Sequence, residues 1–273
     1  MAEPLSILGI PIDPLDTEQV LGRVSELIRG GQQGMVATVN PEMALYASRH
    51  LDFVEILRGA AIRTPDGVGI LWAARYLSRP APRNPVLRGL AWFASLIRLP
   101  FSKPNSIHLR ERVTGTDLMA RIADRSRTEN WSLYLLGAEP CVAEAAAAAL
   151  GQRYPGCRIV GWHSGSPSPA DEAEIADRIN QAQPTILFVA FGSPAQERWI
   201  QRCLPRLSSV RVALGVGGAF DFYAGKRKRA PTLLQKIGLE WLWRLLIQPS
   251  RLKRIWNATI VFPWTVFRDN KEH

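Results

Sequence analysis

A carboxylate does acid–base work only where the fold gives it a ligand to face, so position decides how each candidate reads. Asp66 closes an apolar stretch in TPDGVGI. If that stretch is a strand, its terminus puts the carboxylate at the ligand edge of a sheet, where it suits a general base acting on a hydroxyl. On local features alone the same Asp-Gly pair reads as a turn. Thr38, Asn40 and Glu42 follow another apolar stretch in ATVNPEM. A hydroxyl beside an amide positions ligand hydroxyls through directed hydrogen bonds, and Asn40 is equally suited to capping a helix. In FGSPAQER, Gln196 and Glu197 open a helix after a Gly-Ser-Pro loop. From there the Gln amide can reach a ligand near the helix N-terminus, while Glu197 favours the helix dipole.

Cations make a second group. Arg244, Arg251 and Arg254 are spaced by seven and three, which puts them near one helical face if the helix runs through Pro249. Guanidiniums so grouped grip a diphosphate and stabilise charge on a leaving group. A solvated basic face is the alternative, and Pro249 is itself a helix breaker. Cys141, Cys157 and Cys203 are odd in number and lack CxxC spacing, so neither a disulfide framework nor a zinc site is indicated.

The elements that must hold these residues follow from apolar patterning. Short runs rich in Val, Ile and Leu alternate with helix-like segments, the pattern of parallel strands joined by crossover helices. Strands are expected at residues 35–39, 61–64, 131–136, 158–161, 185–190 and 210–216. Several end in small-residue loops: Gly137 before the Ala-rich run 142–150, Gly192-Ser193-Pro194 before 195–204, and Gly215, Gly217 and Gly218 leading to Asp221. Such loops lie where α/β sheets bind ligands and serve equally as ordinary turns; none is a GxGxxG or GxxxxGK[ST] sequence. The expected architecture is α/β, a Rossmann-like parallel sheet flanked by helices, spanning residues 1–232. Within it, the proline-bracketed stretch 79–108 reads as an inserted amphipathic segment with a helix at 86–99, and 233–273 as a helical basic appendage that associates with membranes.

The chain of 273 residues carries 34 Lys and Arg against 24 Asp and Glu, a net charge of +10 that implies an anionic partner. Seven basic residues and one acid lie between Arg79 and Arg112, and eleven basic and three acidic between Gly225 and His273; the remainder is acidic overall. Both basic segments are rich in Trp and Phe. That pairing suits an anionic lipid surface better than a continuous nucleic-acid track, although Arg- and Trp-rich helices also occur in soluble cores. The N-terminus has neither a basic n-region nor a long apolar h-region, and no stretch reaches about 18 apolar residues. A cytoplasmic protein, peripheral on the inner face of the cell membrane, is expected. Self-association through the same two segments is the alternative use for them.

Taken in order, ATVNPE, TPDGVGIL, RVTGTDL, LYLLGAEP, FVAFGSPAQERWI, GVGGAFDFYAG, RAP and GLEWLWRLLIQPSRLKR resemble the WecG/TagA/CpsF glycosyltransferase family over most of the chain. The resemblance implies inverting, metal-independent transfer of a sugar from a UDP-sugar to an undecaprenyl-diphosphate-linked saccharide in bacterial surface polysaccharide synthesis. It implies Asp66 as the base, with Thr38, Asn40 and Gln196 around the reacting sugars. Asp221 and the Gly137 loop would lie beside the nucleotide, and Arg244, Arg251 and Arg254 over the diphosphate. No cofactor and no metal are expected, and Asp221-Phe222-Tyr223 lacks the second acid of a DxD motif. The sugar itself (N-acetylmannosamine, its uronate, glucose or a relative) stays open. The stretch 79–108 looks longer and more aromatic than the family's usual connection. Two rivals remain at this stage: a non-catalytic nucleotide or nucleic-acid binder, suggested by the charge, and an oxidoreductase, disfavoured by the missing dinucleotide fingerprint.

Overall fold

The computed structural model describes residues 3–80, 82–97, 109, 111–231, 234 and 240–270, the side chains of Glu240 and Arg244 apart. All six strands expected from the sequence are present: β3 (Gly34–Val39), β4 (Ile62–Pro65), β5 (Ser132–Gly137), β6 (Arg158–His163), β7 (Ile186–Ala190) and β8 (Val212–Gly215). They form one parallel sheet in the order β4-β3-β8-β7-β5-β6. The sequence pattern missed a small antiparallel hairpin, β1 (Leu5–Ile7) and β2 (Ile10–Ile12). Strands of three residues are too short to display a period of two.

Every residue of β3, β5, β7 and β8 is buried, which is why these strands read as continuous apolar runs rather than alternating ones. Side chains still alternate between two cores. Met35, Ala37 and Val39 enter one with Tyr134 and Leu136, while Val36 enters the other with Leu133 and Leu135. The first core is closed by α2 (Pro41–Ala47), α3 (Leu51–Arg58), α4 (Val68–Leu77), α8 (Glu172–Ala182) and α9 (Ala195–Cys203). The second is closed by α1 (Thr17–Arg29), α6 (Gly115–Glu129), α7 (Val142–Arg153) and α10 (Ala219–Tyr223). From β3 the chain leaves to α2 on one face, and from β8 to α10 on the other. Their carboxyl ends therefore flank a topological switch point, the crevice in which open α/β sheets bind ligands.

The inserted segment contains one described helix, α5 (Pro85–Ile97); residues 98–108 of the stretch, and so the last two of the helix expected at 86–99, lie outside the described residues. The boundary expected at 232/233 also falls outside them. The C-terminal segment is not one helix. α11 (Glu240–Ile247) ends before Pro249, where Gln248 adopts φ −143° and ψ 78°. Proline has no N–H to donate and pushes the residue before it out of the helical region. A 3₁₀ turn at Pro249–Arg251, α12 (Leu252–Trp256), a π turn at Asn257–Val261 and α13 (Phe262–Asp269) complete the chain. Phe262 and Val266 are fully buried in the first core, so this segment is anchored in the α/β body. No described helix is long and apolar enough to cross a membrane.

Candidate active site

Two turns at the end of the sheet bring the sugar-side candidates together. After β3, Asn40 caps α2, its Oδ1 accepting from the Glu42 and Met43 N–H groups at 3.0 Å each. That oxygen is committed, so what Asn40 can offer a ligand is its amide N–H groups. After β4, the Asp66 N–H donates to the Val39 carbonyl at 2.8 Å, continuing the strand pairing by one residue and setting Asp66 beside Asn40. Gly67, at φ +97°, starts α4 in a conformation that a side chain would strain. A Cβ on Gly69 would lie 2.7 Å from Pro41 Cγ, so only glycine lets the start of α4 close on the start of α2. The Asp66 carboxylate is half-buried at this junction.

Thr38 is 6% exposed, and its hydroxyl donates to the Gly215 carbonyl at 3.2 Å, bridging the ends of β3 and β8 across the switch point. The RVTG stretch closes the second face of the crevice. The Val113 N–H donates to the Pro65 carbonyl at 3.0 Å, and Thr64 Oγ1 donates to the Val113 carbonyl at 3.1 Å. This sets the start of α6 so close that a Cβ on Gly115 would sit 3.2 Å from Val216 Cα and 3.5 Å from Thr38 Oγ1. The family motif carried no role in the sequence reading, and its geometry supplies one: it walls the crevice beside Thr38.

Gln196 lies beneath this surface, 3% exposed. Its Oε1 accepts from the N–H of Gly192 at 3.2 Å and of Gly217 at 3.1 Å, and its Nε2 donates to Glu197 Oε1 at 2.7 Å. The side chain therefore clasps the loops after β7 and β8 together. Those two glycine amides, which the loop pattern offers to phosphate oxygens, are donated to the Gln instead. Glu197 is 1% exposed and its Oε2 has no hydrogen-bond partner. Burial pushes its carboxyl above the usual range, against the pull of its hydrogen bonds to Gln196 and Ser193. The sequence offered it only a helix-dipole role, because a Glu in a first helical turn is ordinarily solvated.

On the other side of the crevice, Gly137 at φ +106° lets the loop after β5 touch the end of β7: a Cβ there would lie 2.8 Å from the Ala190 carbonyl carbon. Asp221 is held by Arg227, with Nε to Oδ2 at 3.2 Å and the Arg227 N–H on its backbone carbonyl at 3.0 Å. Arg227 belongs to a basic strap that ties α10 to the loop after β5 and to the first turn of α6, since Lys226 pairs with Glu139 and Arg229 Nη1 lies 2.7 Å from Asp117 Oδ1. Burial would raise the Asp117 carboxyl, but Arg229 and the Thr114 hydroxyl outweigh it and hold it below its usual value. Lys226 likewise holds Glu139 low. In the sequence the strap showed only as a run of four basic residues.

The three C-terminal arginines do not share a helix, because the chain breaks before Pro249; tertiary anchors set their places instead. Arg254 donates from Nε to Glu42 Oε2 at 2.8 Å, with Nη2 at 2.6 Å, which ties α12 to the Asn40 turn. Trp243 Nε1 donates to the Lys228 carbonyl at 3.2 Å, which ties α11 to the basic strap. Half-buried Arg251 lies in the stretch between these anchors, and so does the backbone of Arg244, whose side chain lies outside the described residues. The segment thus spans from the basic strap to the turn beside Asp66.

Comparison with known proteins meets this geometry. A family model described as "Glycosyl transferase WecG/TagA/CpsF family" matches residues 5–109 and 88–273. The chain belongs to that family. It is thus a glycosyltransferase, of a family whose members build polysaccharides, and the binding-protein and oxidoreductase rivals are set aside. Two relatives from Staphylococcus aureus, strains MRSA252 and NCTC 8325, are each 29% identical over 258 residues, covering 94% of this chain and 89% of theirs. Both are named N-acetylglucosaminyldiphosphoundecaprenol N-acetyl-beta-D-mannosaminyltransferase. Within the family match, the two matched stretches overlap across residues 88–109, in the same region where the sequence looked longer than the usual connection.

Proposed function

We propose that this glycosyltransferase moves a sugar (N-acetylmannosamine, its uronate, glucose or a similar sugar) from a UDP-sugar to an undecaprenyl-diphosphate-linked saccharide, with inversion, at the inner face of the cell membrane. The observation that carries this reading is the junction of the β3 and β4 turns: Asp66, Thr38 and Asn40 at one switch-point crevice, with the C-terminal arginine segment tied to it through Arg254 and Glu42. The names of the staphylococcal relatives, which print a diphosphoundecaprenol-linked acceptor and an N-acetylmannosaminyl group, support the acceptor class and the kind of sugar moved.

In this mechanism Asp66 takes the proton from the acceptor hydroxyl as that oxygen attacks the anomeric carbon. The bond to the UDP oxygen breaks on the opposite face, and the pair of electrons leaves with the diphosphate. Thr38 and the Asn40 amide orient the sugar hydroxyls. Gln196 acts one layer down by holding the Gly192 and Gly217 loops, and the Gly137 loop and Asp221 border the uridine side. Arg244, Arg251 and Arg254 stabilise the departing diphosphate, so the reaction needs neither metal nor cofactor.

The test is UDP release in EDTA from a panel of UDP-sugars with a short-chain lipid diphosphate-sugar acceptor. Acceptor-dependent release is expected, and Asp66→Ala should lower turnover by about 10²- to 10⁴-fold while changing donor affinity little. Near-normal turnover in the variant would remove Asp66 as the base, and strict dependence on an added divalent cation would overturn the metal-free reading.

A further inference from the structure

Helix α5 is apolar on two sides. Its inner side is fully engaged: Trp72 Nε1 of α4 donates to Ser95 Oγ at 3.0 Å, Trp92 Nε1 donates to the Pro263 carbonyl at 3.2 Å, and Arg88 lies over the Phe267 ring at 5.9 Å. Its outer side presents Val86, Leu87, Leu90, Phe93 and Ile97, each between 56% and 68% exposed. At these spacings they form a single helical stripe, and it contains no charged residue.

A second stripe joins it. Leu252, Trp256, Ile260 and Trp264 recur every four residues along the C-terminal helices and are 48–61% exposed. The two stripes, far apart in the chain, meet where Trp92 contacts Trp264 at 5.8 Å between ring centroids. Nine exposed large apolar side chains on adjoining helices far exceed the scattered ones normal on a soluble surface.

The segments that carry the two stripes are basic: among the described residues, Arg79, Arg83, Lys253 and Arg268 stand exposed on them. A two-fold partner copy would set the same patch against itself and bring these cations face to face. An anionic bilayer neutralises them, accepts the apolar stripe, and takes tryptophans at its headgroup boundary.

We propose that the outer face of α5, continuous with the C-terminal stripe, is a docking surface for an anionic phospholipid bilayer, and that α4 couples it to the catalytic edge. α4 begins directly after Asp66-Gly67, its Gly69 lies against Phe262 of α13, and its Trp72 holds α5. At about 1.5 Å per residue, Trp72 stands roughly two helical turns from the base. The surface therefore sets Asp66 at a constant depth relative to lipid, where a lipid-anchored hydroxyl is presented. This deepens the transferase reading given above and rests on it for the acceptor.

The experiment is co-sedimentation with vesicles of phosphatidylcholine, with and without phosphatidylglycerol, for the wild type and for Leu90→Glu/Phe93→Glu. Both substituted side chains already face outward, so the fold is retained. Leu51→Glu, at an 81% exposed position of α3, is the control. Binding only to the anionic vesicles, reduced about tenfold or more in the double variant and unchanged in the control, is expected. Turnover of a short-chain, water-soluble acceptor should survive the double substitution, while turnover of a long-chain acceptor embedded in the vesicles should fall with binding. Unchanged co-sedimentation of the double variant overturns the proposal. So does a variant that loses a dimer seen by sedimentation velocity yet keeps vesicle binding, which would assign the face to a second copy. Failure of the wild type to use any donor in solution would count against the transferase reading instead, and the vesicle comparison would still decide the docking surface.

Discussion

The Gln196–Glu197 pair shows how much of a site lies one layer below its surface. Gln196 spends its carbonyl on two loop glycines and its amide on Glu197, whose second oxygen is buried without a partner. Because burial raises the Glu197 carboxyl, the folded chain keeps a proton that the unfolded chain releases at the ordinary glutamate value. More protons bound in the native state means that stability falls as pH rises, from that ordinary value up through the raised one. Glu197→Gln keeps the shape and the hydrogen-bond acceptor for Gln196 while removing the titration. Its urea midpoint should therefore gain on the wild type as pH rises through that window; parallel midpoints at all pH values would show that Glu197 is ionised in the fold. None of this was visible in FGSPAQER, where a Glu in the first turn of a helix reads as a solvated dipole partner.

At the scale of elements, strand ends do the positioning. The six sheet strands were legible because buried parallel strands are apolar throughout, and their termini at Gly137, Asp66, Gly192 and Gly217 were legible because turns need small or polar residues. What the glycines touch was not. Gly137 combines φ +106° with a backbone neighbour 2.8 Å from where a Cβ would stand. Gly137→Ala must move β5 from β7 or strain its own turn, at a cost of about 1–3 kcal/mol from conformation alone. The thermal midpoint should drop accordingly; a midpoint within experimental scatter of the wild type would show that the two strand ends have room to part. Pro249 teaches the converse lesson, since a seven-and-three spacing of arginines predicts one face only while the helix is continuous, and here the backbone breaks between Arg244 and Arg251.

At the scale of the molecule, the C-terminal segment reads as an appendage in sequence and behaves as part of the body. Phe262 is fully buried, and its ring lies 3.6 Å from where a Cβ on Gly69 would be, in the core shared with β3 and α4. Phe262→Ala should cost about 3–5 kcal/mol and lower the single unfolding transition of the whole chain. A separate low-temperature transition, with the main one unmoved, would show that the segment melts on its own.

By itself the sequence determined the fold class, the six strands, the residues worth watching and the family, because periodicity, turn chemistry and ordered motifs are local properties of the chain. Only the tertiary structure decided that Asn40 and Asp66 share a junction, that Gln196 faces two loops, that Arg254 reaches Glu42, and that α5 joins the C-terminal helices in one apolar face. Each of these depends on which distant segments pack together. That is settled by burial and close contact across the whole core, a balance that no local window of sequence contains.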